Sequence, residues 1–182
     1  MPLPAVGAPA PEFTLPDLDG HPVALADLLR SGPVGLFFLK AGCGASDLAA
    51  PAVEPIWDGY SGQVSPEGTR LSLLCVSQDA PATAREEHAR LRLSAPMVSD
   101  EGLRVSAAYD LQSTPTFILL AGEERLRADA IEVAPAAARR VVDVVEAWSR
   151  DAYVLLSEEI AARVGAIPVD LSLLPGPAFR PG

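Results

Sequence analysis

Three short segments are apolar at nearly every position: residues 34–39, 71–76 and 116–120. A strand with one wet face alternates polar and apolar residues. Near-continuous apolar runs of this length therefore predict strands covered on both faces. Between the first two runs the period lengthens. Over residues 44–57, Leu48, Val53, Ile56 and Trp57 fall roughly on one helical stripe. Pro51 lies inside that stripe and predicts a kink, because proline removes a main-chain donor and crowds the preceding turn. Residues 82–93 read as a charged amphipathic helix, with Ala84, His88 and Leu91 facing inward and Arg85, Glu86, Glu87 and Arg90 on the wet face.

Other segments follow from shorter signals. Asp17 to Gly20 is a turn-type cluster between two short apolar stretches, which predicts a hairpin. Residues 26–30 predict a helical turn, and Asp100 precedes a short helix over 101–109. Gly122 and Glu123 predict a turn into a strand over 126–131. Residues 136–148 and 153–164 both read as helices, the first with Val141, Val144, Val145 and Trp148 on one face. The tail, 165–182, is proline-rich and has no regular period.

Alternating strands and helices of this kind predict an α/β fold: a mixed central sheet with helices on both faces, an N-terminal β-hairpin and a C-terminal helical extension. The expected organisation is one domain over 1–150, with a helix and proline-rich tail, 151–182, packed on it.

Composition narrows the function classes. The chain has 182 residues, 49% of them hydrophobic, enough for a substantial core. Its formal net charge of −10 disfavours nucleic acid and anionic membrane surfaces as partners. The first residues lack the charged start and long apolar stretch of a signal peptide, and no later run reaches membrane-spanning length, so the expected location is the cytoplasm. Two cysteines, Cys43 and Cys75, and two histidines, His21 and His88, are too few for a disulfide scaffold or a structural zinc site. No metal or cofactor is expected. There is no Gly-x-Ser-x-Gly of a serine hydrolase.

The chemistry centres on Cys43. It follows the first buried strand by four residues and immediately precedes a helix. The free N–H groups and dipole of a helix N-terminus favour an anion, so a thiolate there is stabilised. Gly42 and Gly44 leave the thiol little cover. The alternative is a buried structural cysteine. Cys75, set among Leu73, Leu74 and Val76, reads as the structural one. Lys40 reads as a solvated residue at the strand end. Pro115 opens the last apolar run and, taken alone, is punctuation.

Taken together, these segments resemble the thioredoxin-like redoxins, in particular the TlpA/ResA-type thiol–disulfide oxidoreductases of the AhpC/TSA-like superfamily. The likeness runs from about Gly7 to Trp148. It rests on Ala8 to Leu15, on Phe37 to Ser46, on Pro51, on Val76-Ser77-Gln78-Asp79, on Ser99-Asp100-Glu101-Gly102 and on Ser113-Thr114-Pro115-Thr116-Phe117. The resemblance implies that Cys43 is the attacking cysteine. It also implies that Pro115 is cis and lies against the sulfur, and that the main chain before it pairs with an extended peptide. Gly42, Gly44, Ala45, Thr114 and Pro115 are then the expected substrate-binding residues, with Cys43 and Ser46 as the reactive pair of positions.

The chain departs from the family pattern in defined ways. The motif is Cys-x-x-Cys in the family, and here Ser46 holds the second position. Gly42 replaces the usual aromatic, and Phe37 stands where thioredoxins carry a buried acid. A hydroxyl cannot resolve a mixed disulfide. Ser46 then either hydrogen-bonds the thiolate or caps the helix. Three functions are compatible with this pattern. One is a monothiol redox protein that forms a mixed disulfide with a protein or with a small thiol such as glutathione, and is released by an external thiol. Such a protein would serve cell redox homeostasis. The second is a one-cysteine thiol peroxidase, an antioxidant. Its family motif requires a proline and a threonine where Leu36 and Lys40 stand. The third is a non-catalytic binding module on the same fold. The first is the preferred expectation.

Overall fold

The computed structural model describes residues 5–64, 68–122 and 139–174. In chain order the elements are β1 (Thr14–Pro16), β2 (Pro22–Ala24), α1 (Leu25–Leu29), β3 (Val34–Leu39) and α2 (Gly44–Tyr60). Then come β4 (Ser72–Ser77), α3 (Pro81–Leu91), β5 (Met97–Ser99), α4 (Arg104–Ala108), β6 (Thr116–Gly122), β7 (Arg139–Glu146) and α5 (Arg150–Val164). β1 and β2 form the expected hairpin around Asp17–Gly20. The other five strands form one sheet in the order β5-β4-β3-β6-β7, parallel across β5, β4 and β3 and antiparallel at β6 and β7. This is the mixed sheet of a thioredoxin-like fold.

The apolar runs become the middle of that sheet because neither of their faces is wet. All six residues of β3 are buried. Phe37, Leu39, Leu73, Cys75, Phe117 and Leu119 point to one side, where α2, α3 and α5 cover them. Leu36, Phe38, Leu74, Val76, Ile118 and Leu120 point to the other, under α1 and α4. At 0.8 kcal/mol per buried CH2, on the order of the transfer value, these two layers are the main source of stability. Gly35 is required by packing: a Cβ there would lie 2.5 Å from the Phe117 ring.

The N-terminal segment straps the second face. Pro9 bridges to Arg140 on β7, Phe13 and Leu15 enter the core, and Asp17 bridges to Val98 on β5. Both sheet edges are thereby partly closed, which limits pairing with other chains. At the other end of the chain, Tyr153, Leu156, Ile160, Val164 and Leu171 join the first core layer. Tyr60 on α2 donates to the Ser157 carbonyl at 3.0 Å and shares a hydroxyl bond with Ser157 at 2.8 Å.

The structure corrects two expectations and adds one strand. Residues 139–146 are not helical; they form β7, antiparallel to β6. The valine spacing that suggested a helix arises from a β-bulge. The register steps from Leu119↔Asp143 to Leu120↔Val141, so one extra residue sits in β7. An inserted residue flips the alternation, and Val141 and Val144, three apart, reach the same core layer. The second correction is Glu87, which is buried rather than on the wet face of α3; Arg90 grips its carboxylate from the next turn at 2.6 and 2.8 Å. The added strand is β5, which at three residues is too short to show a period. The strand expected over 126–131 lies outside the described residues.

Candidate active site

The carboxyl ends of β3, β4 and β5 and the start of β6 converge on one edge of the sheet, the position where open α/β folds place their ligands. Cys43 lies there. It is the N-cap of α2, with φ −87° and ψ 110°, and its carbonyl accepts the first helical bond from Asp47 N at 3.2 Å. The chain reaches it through a tight turn in which Cys43 N donates to the Lys40 carbonyl at 3.3 Å. Gly42, third in that turn, has φ +70°, a conformation a side chain would strain. Both flanking glycines face open space, so Cys43 is half-buried rather than sealed.

The Thr114–Pro115 bond is cis, and Thr114 lies against the sulfur. The thiol donates to the Thr114 carbonyl at 3.5 Å, and the Thr114 hydroxyl lies 3.9 Å from the sulfur. The Pro115 carbonyl is held by Ala147 N, just past the end of β7, at 2.8 Å. The next residue, Trp148, is buried, with its ring tilted 36° to that of Tyr153 and the centroids 5.4 Å apart. The C-terminal part of the chain therefore buttresses one wall of the site.

Partial burial raises the Cys43 pKa, but it is outweighed. The Ser46 hydroxyl, the Ser46 and Ala45 amides and the Thr114 hydroxyl all favour the thiolate, and the thiol sits below its ordinary range. Cys75 is the reverse case. It is fully buried on β4 opposite Phe37, and burial, with Glu54 adding repulsion, pushes its thiol well above the ordinary range. Both cysteines are free.

Ser46 is not a cap. It sits in the first turn of α2, is completely buried, and its Oγ makes no hydrogen bond among the described residues. Its influence on the site is electrostatic: the hydroxyl favours the ionised Cys43 sulfur. Ala45 is also buried, so what it presents to the site is its amide. Lys40 is exposed. Among the described residues no group of three or more His, Cys, Asp or Glu could hold a metal, and no helix is long and apolar enough to cross a membrane.

One site residue was quoted in the sequence without a role. Asp79, just after β4, accepts from Ala41 N at 2.7 Å with Oδ2. Nothing in its local sequence signals a bond to a residue 38 positions earlier.

Residues 6–131 match the AhpC/TSA family. The chain belongs to that family. As an AhpC/TSA protein it is similar to two thiol-disulfide oxidoreductases named ResA. It is 31% identical to that of Halalkalibacterium halodurans over 115 residues, 63% of this chain and 61% of the relative. It is 32% identical to that of Geobacillus kaustophilus over 117 residues, 64% and 63% of the two chains. The match thus spans about three fifths of the length of these curated relatives. Among solved structures, the fold is similar to the thioredoxin domain of a thiol-disulfide oxidoreductase from Bacteroides vulgatus. There the TM-score is 0.65 at 19% identity, covering 86% of this chain and 98% of that one. It is also similar to the peroxidoxin BcpB from Mycobacterium tuberculosis, with TM-score 0.65 at 22% identity, covering 90% and 98%. At these identities the structural likeness speaks for the thioredoxin-like fold of this redoxin.

Proposed function

We propose that this redoxin exchanges disulfides through Cys43 alone. The observation that carries the reading is the Cys43 sulfur at the open end of α2, half-exposed, beside the Thr114 carbonyl and with its thiolate favoured. The thiolate attacks one sulfur of a disulfide, R–S–S–R′. A Cys43–S–S–R bond forms, and R′–S⁻ leaves and takes a proton from solvent. An external thiolate then attacks the R sulfur, forms a new disulfide with R and returns Cys43 as thiolate. No internal thiol can take that second part, because Ser46 carries a hydroxyl and Cys75 is sealed in the core. The ResA relatives support a disulfide-bearing protein as the partner class, and a small thiol such as glutathione fits the same exchange.

The peroxidase reading has less behind it. Leu36 is locked in the core and Lys40 is exposed, so neither offers the threonine hydroxyl of the peroxidatic motif.

Intact-protein mass spectrometry tests the proposal. At pH 7, oxidised glutathione should add one glutathionyl group, on Cys43, and dithiothreitol should remove it. The adduct should be absent in Cys43→Ser. A native protein that takes no adduct, or an adduct that persists in Cys43→Ser, would reject it.

A further inference from the structure

We infer that Asp79 is a positioning residue for the Cys43 thiol, clamping the main chain of the turn that presents it. The inference rests on the reading of Cys43 as the reactive group.

The turn from Lys40 to Cys43 leaves β3 after Leu39, whose carbonyl takes the last sheet-like bond, from Gln78 N at 3.0 Å. The next amide along, Ala41 N, has no strand beside it. Asp79 Oδ2 accepts from it at 2.7 Å. Ala41 and Gly42 are the two central residues of the turn, and a glycine with positive φ in the third position is the pattern of type II. Holding Ala41 therefore fixes the peptide that aims Gly42 and Cys43 at the helix axis.

Asp79 is itself held on three sides. Ser77 donates its hydroxyl to Oδ2 at 3.1 Å, and the same Ser77 oxygen accepts from Asp79 N at 3.2 Å. Ser99, from β5, donates to the Asp79 carbonyl at 2.7 Å. Ser77 and Ser99 are both buried. The carboxylate is thus a rigid post anchored in two parallel strands. Such support is what keeps a reactive group in its productive geometry.

Charge alone predicts the opposite of what positioning predicts. The charged groups beside Cys43 on the turn, the first turn of α2 and just past the end of β4 are Lys40, Asp47 and Asp79; Glu54 and Asp58 lie further along α2. Asp47 is paired with Arg90 of α3. The wall from Ser113 to Pro115 brings none. A bare carboxylate near a thiolate disfavours it, so an Asp79 that acted only by charge would raise the Cys43 pKa, and its removal would lower it. A clamp does the reverse. Once released, the turn no longer holds the sulfur over the α2 amides, and the thiol drifts back toward about 8.5.

The pH midpoint of Cys43 alkylation, followed by intact mass, separates the two. Asp79→Ala should raise the midpoint by about half to one pH unit. Asp79→Glu keeps the charge but displaces the acceptor and should also raise it, whereas Asp79→Asn keeps an acceptor oxygen in place and should hold it within about 0.3 unit or lower it. A lowered midpoint in Asp79→Ala, or Asp79→Glu indistinguishable from native, would overturn the inference. Should Asp79→Ala not fold, the Glu and Asn pair still decides. A native midpoint already at or above about 8.5 would instead reject the function proposed for Cys43.

Discussion

Cys43 and Cys75 are the same residue in two opposite settings. Cys75 sits within a parallel strand, with Phe37 beside it in the sheet, and has become a small hydrophobic side chain. Cys43 sits just past the end of the neighbouring strand, where main-chain amides run out of partners and side chains must supply them. Cys43 lies six positions beyond Phe37, the residue opposite Cys75. The interior of the sheet buries thiols as thiols, and its carboxyl edge stabilises them as thiolates. The reactivity proposed for Cys43 is thus a property of place in the fold.

The sharpest way to break that comparison is to exchange sulfur for oxygen at each place. Cys43→Ser should reduce adduct formation with oxidised glutathione to background, since a serine hydroxyl is not ionised at neutral pH and has no base to activate it. Cys75→Ser should leave the rate at Cys43 within about twofold, yet lower stability by about 1–3 kcal/mol, because it buries a hydroxyl among apolar neighbours. Urea unfolding and adduct kinetics on the two variants would show this. A Cys75→Ser protein that lost reactivity without losing stability would dissolve the contrast.

Ser46 sharpens it from the other side. Its hydroxyl is the buried polar group nearest in role to a second thiol. Ser46→Ala should raise the Cys43 alkylation midpoint by about half a pH unit, since one of the donors that favour the thiolate is gone. Ser46→Cys restores two thiols three residues apart at a helix start, a spacing compatible with Cα atoms about 5–6 Å apart in a disulfide. That variant should clear its glutathione adduct without added thiol, leaving an internal disulfide. Retention of the adduct there would mean that the buried position cannot reach the sulfur.

How far the sequence foretold these settings depends on the distance over which each signal acts. The buried strands, the hairpin and Cys43 at a helix start are written in adjacent residues, and the structure carries all of them. The resemblance marked Thr114 and Pro115, and the structure brings Thr114 to the sulfur. What local pattern missed depends on remote partners. Asp79 serves an amide on another strand's exit turn, Glu87 is dry because Arg90 folds over it, and the valines of β7 imitate a helix because of a bulge whose register is set by β6. Capping was one of two readings of Ser46 because Ser favours that position, but Cys43 occupies it.

A last effect ties thiol placement to stability. Folding holds the Cys75 proton more tightly than the unfolded chain does. A group whose pKa is raised on folding stabilises fully below its unfolded pKa, and that contribution is lost as pH rises beyond it. The unfolded thiol ionises at about 8.5, so the loss from Cys75 should start near that pH and approach about 1.4 kcal/mol per pH unit. Cys43 has the opposite sign. Its pKa is lowered on folding, so its contribution is full above the unfolded value and fades as pH falls toward the folded one. Tyr109 and Tyr153, both raised by burial, add their own losses, but only from about pH 10 upward. Between about pH 8.5 and 10 the Cys75 loss therefore stands nearly alone. Cys75→Ala should start less stable at neutral pH but lose stability more slowly across that window, so the two urea-unfolding curves converge as pH rises. Parallel curves for native and Cys75→Ala would mean that the buried sulfur is already hydrated in the folded chain.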